Sequence, residues 1–367
     1  MYEKEGAFDF FASHLKAMVA GALDRYIHIN KTSELVRDKL LPVYLPMEKH
    51  LFDETLSFTA IVPILFLKFE LQQFHINESI SVERLSDELH LARGWQGSWG
   101  HPDNFIVESA ATHALFIRNR SLANENWLKT SQAIMTPESY PVEEINTFFA
   151  ALRIATGYLT GYAQMLALPM EWVSFYAADL IPIDGPTVEN YPPFFKSGYW
   201  QSEVPTVNFG GADRIREVFN DLQRVFATKH AQRVHLAMHR LNLSSMRTTE
   251  EDGVIDSMIA MEALLSDGAQ EMTHKVAMRL AGLYKIADRS RSEQAFKEMK
   301  DIYTFRSKIV HGSATLERHR QVDREGIKIS VADAAVEHLR NAFGVLIKNP
   351  ALLDPKGIDS FLLTDKL

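Results

Sequence analysis

The chain has 367 residues, a formal net charge of −8 and no cysteine, and 46% of its residues are hydrophobic. Its length suffices for two hydrophobic cores, since single domains usually span about 100–200 residues. The lack of cysteine excludes disulfides and thiolate metal sites. The acidic segment 1–5 lacks the basic start of a signal peptide, and no apolar run is long enough for a membrane span. We therefore expect a cytoplasmic protein.

Charge is distributed unevenly along the chain. Residues 1–212 carry 15 Lys and Arg against 25 Asp and Glu, a net charge of −10. Residues 213–349 carry 22 Lys and Arg against 19 Asp and Glu, a net charge of +3. This difference permits a polyanionic substrate in the second region without making the first a nonspecific binder.

The pattern of the first 212 residues predicts an α+β domain. Residues 58–71 and 114–118 are rich in β-favouring side chains, whereas residues 33–41 and 142–168 have helical patterns. We assign this N-terminal domain to 1–212.

A proline-rich stretch, residues 182–211, predicts a linker or long connecting loop that ends the N-terminal domain. Beyond it, apolar residues recur at helical spacing and predict an all-α bundle over 213–349, followed by a C-terminal tail, 350–367. A charged loop, 313–330, separates the last two helices. The predicted helices are 213–226, 230–243, 250–265, 272–287, 292–311 and 331–348.

Three charged residues of the bundle fall inside the apolar arcs of their helices: Glu262, Arg279 and Arg306. A buried unpaired charge costs several kcal/mol, roughly, so these side chains must pair, reach water or reach another subunit. We expect Glu262 and Arg279 to form a helix-to-helix ion pair. One carboxylate cannot neutralise two guanidinium groups, so one arginine remains for an outside anion, such as a phosphate.

His311 follows Arg306 by five residues and lies about 140° around the helix, at its end before Gly312. A histidine there can be exposed. Histidine exchanges protons near neutral pH, and it can deprotonate a ribose 2′-hydroxyl while an arginine stabilises the phosphate charge without a metal. The Arg-x4-His spacing has low specificity by itself, because two-residue patterns occur by chance.

Three consecutive helices carry a resemblance that gives this spacing a context. They contain Ile259-Ala-Met-Glu-Ala-Leu-Leu, Lys275-Val-Ala-Met-Arg-Leu-Ala and Ile302-Tyr-Thr-Phe-Arg-Ser-Lys-Ile-Val-His-Gly. In order and spacing they resemble the Apea-like branch of the HEPN superfamily. The resemblance covers about residues 213–349 and implies a HEPN-like helical domain.

The resemblance implies a ribonuclease in which Arg306 and His311 are the catalytic pair, with no metal or other cofactor. It further implies a homodimer in which two copies of the motif form one cleft for RNA. In this branch, a divergent N-terminal region often accompanies the HEPN module in bacterial defence against phage. Residues 1–212 would then be a sensor or regulator that responds to a phage-derived or small-molecule trigger, in an abortive-infection toxin.

Further residues are assigned to this candidate site. Those expected to support the catalytic pair are Ser307, Glu262, Arg279 and Tyr303. Those expected to contact RNA are Lys308, Arg318, Arg320, Arg324 and Lys328, although a solvated loop explains the last four equally well.

Two other interpretations remain open at this point. HEPN helices can serve as a noncatalytic module that binds a nucleotide, RNA or a protein partner. Trp95, Trp99 and His101 lie in a glycine-rich loop that could form a recognition surface.

His235 and His239 have a metal-compatible spacing, but no third ligand is evident, so we predict no metal site.

Overall fold

The structure, a computed structural model, describes residues 2–97, 107–197, 204–268, 272–312 and 316–365. The chain divides into two compact units, each made of three segments. Unit 1 comprises Met1–Leu65, Gln72–Val142 and Tyr162–Glu189, and unit 2 comprises Phe66–Leu71, Glu143–Gly161 and Asn190–Leu367. This division differs from the single boundary predicted after residue 212.

A five-stranded antiparallel sheet forms the centre of unit 1, with strand order β3-β4-β5-β1-β7. Its strands are β1 (Thr55–Leu65), β3 (Gln73–His75), β4 (Ile80–Arg84), β5 (Ala111–Ala123) and β7 (Leu166–Pro169). A separate pair joins β6 (Tyr162–Gln164) to β8 (Thr187–Asn190). The helices are α1 (Tyr2–Asn30), α2 (Arg37–Phe52), α3 (Asp87–Gly97) and α4 (Trp127–Ile134).

Burial explains why β1 lies inside the sheet. Every residue from Phe58 to Leu65 is buried, as expected for an apolar strand covered on both faces. The β character predicted for 58–71 is thus confirmed for β1. The helix predicted over 142–168 ends earlier, at Thr156, because Gly157 takes a positive φ of 76° that terminates it.

Unit 2 is mainly helical, which confirms a helical C-terminal part after a mixed region. Its helices are α5 (Val142–Thr156), α6 (Phe209–Phe226), α7 (Ala231–Ser244), α8 (Glu250–Leu265), α9 (Met272–Ala287), α10 (Ser292–Val310), α11 (Val331–Leu346) and α12 (Pro355–Thr364). Two short strands, β2 (Lys68–Phe69) and β9 (Thr206–Val207), pair in parallel. None of the described helices has a stretch apolar and long enough to cross a membrane.

Side-chain contacts explain why α5 belongs to unit 2. Asn242 of α7 donates a hydrogen bond to the carbonyl of Asn146, at 3.0 Å, and accepts one from Arg153 Nη1, at 2.6 Å. Arg153 is itself buried, and its Nη2 donates to the carbonyl of Thr160. These polar contacts attach a helix that precedes the predicted linker to the helical bundle.

The segment predicted as a C-terminal tail is folded. Asp354 caps α12 by accepting a hydrogen bond from the backbone of Lys356, and Pro355 occupies the first helical turn. Ile358 and Phe361 are buried. The helix therefore buries an apolar face, which corrects the expectation of a tail.

Arg279 of α9 is the polar anchor of α12. Its guanidinium is 1% exposed and binds Asp359 through two hydrogen bonds, from Nε at 2.8 Å and from Nη2 at 2.7 Å. The same group donates to Asp267 at 3.0 Å and to the carbonyl of Leu265 at 2.7 Å. The hydrogen bond with Asp359 is the main reason why the pKa of Arg279 is raised. The predicted ion pair between Arg279 and Glu262 is wrong, because closer carboxylates already satisfy the guanidinium.

The predicted charged loop also has regular structure. Residues 321–330 form a hairpin of β10 (Gln321–Arg324) and β11 (Ile327–Ser330). Gly326 takes a positive φ of 87° in its turn. Arg324 donates two hydrogen bonds of 2.8 Å to Glu298 and one of 2.8 Å to Glu337. Ion pairs to buried and half-buried carboxylates thus fix the hairpin to α10 and α11.

Glu298 is at the centre of this polar cluster. Its carboxylate is 1% exposed, and Nε2 of His338 lies 2.8 Å from Oε2. The other imidazole nitrogen of His338 lies 2.9 Å from the hydroxyl of Tyr284. Burial opposes ionisation of Glu298, but the hydrogen bonds from Arg324 and the close imidazole of His338 outweigh it and hold the pKa of the carboxyl well below its usual range.

This pKa shift makes the contribution of Glu298 to stability depend on pH. Its stabilisation is complete above the pKa of an unfolded glutamate and decreases as the pH falls towards the lower folded pKa. We expect Glu298→Gln to lower the free energy of unfolding by about 3 kcal/mol at about pH 7. The loss should become smaller at about pH 3.5, where the unfolded wild type binds a proton that the folded one does not.

Urea unfolding of wild type and variant at both pH values measures this difference. Glu293→Gln is the control, because Glu293 lies on the same helix and its ion pair with Lys297 is exposed. A loss for Glu298→Gln that is the same at both pH values would contradict the linkage.

The Arg279 anchor gives a second stability prediction. Arg279→Met keeps an unbranched apolar stem but leaves the carbonyl of Leu265 without its donor and removes the ion pair that joins α12 to α9. We expect the free energy of unfolding to fall by about 2–4 kcal/mol. Arg289→Met, which removes an exposed ion pair with Asp365, should change it by less than about 0.5 kcal/mol. Equal losses in the two variants would rule out the anchor role.

Candidate functional site

A polar cavity of about 710 Å³ lies beside the C-terminal half of α10. Residues of α8, α9 and α10 line it, including Glu262, Met272, Tyr303, Arg306, Ser307 and Lys308. Its position follows from the helical repeat, because residues 303, 306 and 307 of α10 share one face. The helices therefore bring three of the predicted supporting residues, Glu262, Tyr303 and Ser307, together with Arg306.

Glu262 binds the two neighbouring polar groups of this cavity. The hydroxyl of Tyr303 donates a hydrogen bond of 3.1 Å to Glu262 Oε1. Nη2 of Arg306 lies 3.9 Å from the same oxygen, a distance that gives an ion pair without a close hydrogen bond. The side chain of Arg306 is 36% exposed. Its guanidinium is thus only loosely held and is accessible to an anion.

The expected burial of Arg306 is only partly correct. Met299, Ile302 and Phe305 of α10 are buried, but Val310 is 56% exposed. The apolar arc therefore leaves the core near the end of the helix. Arg306 lies at this edge, where its charge reaches solvent and needs less compensation than a fully buried one.

Tyr303 stays protonated over the physiological pH range. Burial raises the pKa of its phenol above the usual value, and the negative charge and hydrogen bond of Glu262 raise it further, whereas Arg306 lowers it. The phenol is consequently a hydrogen-bond donor and not a proton-transfer group near neutral pH.

His311 is exposed and caps the C-terminus of α10. Gly312 follows with a positive φ of 62°, as the sequence predicted for the helix end. His311 is absent from the lining of the cavity that contains Arg306. Five residues separate the two along α10, a rise of about 7.5 Å. Within one chain, the structure therefore places the predicted catalytic pair on different sides of the helix end.

The predicted RNA-contacting residues have different environments. Lys308 lines the cavity, and Arg318 is exposed on a short 3-10 helix, Leu316–His319. Arg320 forms ion pairs with Glu251 and Glu317, and Lys328 pairs with Asp323 at 3.0 Å. Arg324 is held by Glu298 and Glu337. Carboxylates of the protein therefore partly neutralise three of the five predicted cations.

The two histidines of α7 have separate surroundings. His235 stacks on Phe226, with ring centroids 3.8 Å apart, and its Nε2 lies 3.7 Å from Glu143. His239 is exposed. Among the described residues there is no group of three or more side chains suited to hold a metal ion.

Comparison with known proteins gives no relative. No family model, curated protein or solved structure matches the chain. The residues of the cavity and the chemistry that they can perform are therefore the basis for proposing a function.

The hydrogen bond between Tyr303 and Glu262 can be tested through stability. Tyr303→Phe removes the donor and leaves the half-buried carboxylate with Arg306 alone, so we expect the free energy of unfolding to fall by about 1–2 kcal/mol. Tyr44→Phe, at a largely exposed position, should change it by less than about 0.5 kcal/mol. Chemical denaturation at neutral pH measures both variants. If the free energy of unfolding is unchanged in Tyr303→Phe, this hydrogen bond does not hold Glu262 in place.

Proposed function

We propose that the chain is a metal-independent endoribonuclease of the HEPN type, with Arg306 and His311 as its catalytic pair. One observation carries the proposal: the guanidinium of Arg306 is accessible in a polar cavity, five positions before an exposed histidine. A cation that can hold phosphate and a group that can exchange protons are the two requirements of metal-free RNA cleavage. The sequence resemblance to Apea-like HEPN domains supports the same assignment.

In the proposed reaction, the imidazole of His311 removes the proton of a ribose 2′-hydroxyl. The 2′-oxygen then attacks the adjacent phosphorus, the bond to the 5′-oxygen breaks, and the departing oxygen takes up a proton. The products are a 2′,3′-cyclic phosphate and a 5′-hydroxyl. Arg306 stabilises the negative charge on the phosphate oxygens, and Lys308 adds a second positive charge in the same cavity.

Glu262 is a positioning residue in this proposal. Its carboxylate accepts a hydrogen bond from the hydroxyl of Tyr303 and lies on one side of Arg306. It therefore limits the directions in which the guanidinium can point. The remaining N–H groups of Arg306 are available to a substrate. Ser307, next to Arg306 in the cavity, supplies a further hydroxyl for hydrogen bonding to the RNA backbone.

A homodimer accounts for the separation of His311 from the cavity of its own chain. Val310 at the end of α10 and Met272 at the start of α9, which lines the cavity, are exposed apolar residues. A second copy packed against this face would bury them and bring two copies of the Arg306 and His311 pair to one two-fold axis. RNA would bind in the cleft between the two copies.

The resemblance also supports a biological setting for this activity. We place the enzyme among bacterial anti-phage proteins that cause abortive infection in the cytoplasm. Unit 1 would then sense a phage-derived or small-molecule trigger and control the nuclease.

A second candidate function is noncatalytic binding of a nucleotide, RNA or protein partner. The observation that favours it is that the cavity already contains Arg306 and Lys308 without His311. Two cations and a hydroxyl suffice to bind an anionic ligand without cleaving it.

Cleavage of total cellular RNA in the presence of EDTA separates the two candidates. We expect the wild type to cut RNA and to leave cyclic phosphate ends, and His311→Ala and Arg306→Ala to lose at least about 100-fold in rate. His239→Ala and Arg214→Ala are matched controls, because both residues are exposed on other helices of the bundle. Sedimentation of each variant reports whether the dimer is retained.

Each other outcome has a definite meaning. Equal cleavage by wild type and both variants would show that the activity comes from another site or from a contaminant. Folded, dimeric proteins that bind RNA but do not cut it, with or without a phage lysate as activator, would favour the binding module.

A further inference from the structure

Unit 1 contains an apolar cleft of about 700 Å³ between α3 and the segment that follows β7. Leu91 and Trp95 of α3 form one wall, and Phe175 and Leu180 form the other. This volume lies in the usual range of small-molecule sites, about 300–1,000 Å³. Of the loop predicted as a recognition surface, Trp99 and His101 lie outside the described residues, whereas Trp95 belongs to this cleft.

The cleft exposes large apolar side chains that a folded protein normally covers. Leu91, Trp95 and Phe175 are each more than half exposed. Isolated exposed apolar residues are common, but these three line the same concavity together with Leu180. Two aromatic rings and two leucines on opposite walls form a slot suited to a flat, apolar ring system.

His90 adds a hydrogen-bond donor whose tautomer is fixed by its neighbour. Both Nε and Nη2 of Arg93 lie within hydrogen-bond distance of His90 Nδ1, at 3.2 and 3.0 Å. Arginine has only donors, so Nδ1 must accept, and the neutral ring carries its proton on Nε2. Burial lowers the pKa of His90, and the positive charge of Arg93 lowers it further. His90, which lines the cleft, is therefore an N–H donor through Nε2 at neutral pH.

A buried polar cluster holds Arg93 behind the cleft. Arg93 is buried, and its Nη1 donates to the carbonyl of Glu108 at 2.6 Å and to Gln164 Oε1 at 3.2 Å. The amide of Gln164 in turn donates to the carbonyl of Arg93, at 3.2 Å. Burying a guanidinium is costly unless its hydrogen bonds are made. One result of this arrangement is that the tautomer of His90 is fixed before any ligand arrives.

Asp179 supplies a hydrogen-bond acceptor on the opposite wall. It lies on the wall after β7, lines the cleft and is exposed. A carboxylate accepts hydrogen bonds, whereas Nε2 of His90 donates one. A ligand that satisfies both must offer an acceptor and a donor on one flat, apolar body.

We infer that this cleft binds a small planar nitrogen heteroaromatic molecule with an exocyclic amino group, of the chemical class of adenine. The ring would lie between the aromatic walls, a ring nitrogen would accept from His90 Nε2, and the amino group would donate to Asp179. The inference is independent of the nuclease proposal, because every residue that it uses belongs to unit 1.

Gly94 allows the cleft to be blocked without disturbing the protein. It lines the cleft, and a β-carbon added there would meet no atom within 4 Å. Gly94→Leu should therefore fill the slot, while the loss of a helical glycine keeps or raises the melting temperature. Leu128→Ala, at an exposed position of α4, is the control substitution.

Equilibrium binding of adenosine to the full chain, measured by calorimetry, tests the inference. We expect the wild type and Leu128→Ala to bind with a dissociation constant of about 0.1 mM, which is typical for a ligand of this size. Gly94→Leu should lose binding at least about tenfold. Purine riboside, which lacks the amino group, should bind the wild type about tenfold more weakly than adenosine does.

The role of Asp179 is tested by the same pair of ligands. In Asp179→Asn the preference for adenosine over purine riboside should decrease to less than about threefold, because the charged acceptor is absent. Saturable adenosine binding that is equal in wild type and Gly94→Leu would overturn the site, as would no binding by the wild type at millimolar concentration. If the wild type binds an adenine-rich single-stranded RNA but not adenosine, and Gly94→Leu loses that RNA binding, the cleft is instead assigned to RNA and the small-molecule inference is overturned.

Discussion

The carboxylate of Glu298 connects the parts of unit 2 on which its candidate site depends. It is buried on α10, accepts both hydrogen bonds from Arg324 of the β10–β11 hairpin and contacts His338 of α11. An ionised carboxylate at such a position is stable only while these partners remain in place. The cluster thus fixes α10 relative to the β10–β11 hairpin and α11. The direction in which Arg306 faces is a consequence of this fixed helix.

Helices α6 to α11 could be predicted from the sequence because their apolar residues recur at helical spacing and their ends carry capping residues. The partners of the buried charges could not be predicted in this way. Arg279 binds Asp359, a residue 80 positions away in a segment that looked like a tail. Glu298 lies three residues after Ala295 and four before Ile302, so helical spacing alone places it on the buried face of α10.

The candidate site, too, could be predicted from the sequence only in part. Helical projection brought Arg306 and Glu262 to notice, and they do lie in one cavity. The projection could not reveal that the apolar arc of α10 reaches solvent near its end, because that depends on which neighbouring helices stop there. The cleft of unit 1 was less predictable still, since the hydrogen bond between His90 and Arg93 is local but its two walls come from segments about 80 residues apart.

The interleaving of the two units has a consequence for synthesis on the ribosome. All three segments of unit 1 have been made once Glu189 has been added, so this unit can fold while most of the helical bundle is still untranslated. Strand β2 cannot pair until Thr206 has been added, 138 positions after Lys68. Closing so long a loop is slow. Unit 2 thus includes two segments that are synthesised early, Phe66–Leu71 and Glu143–Gly161. They can complete the unit only after its later helices have emerged.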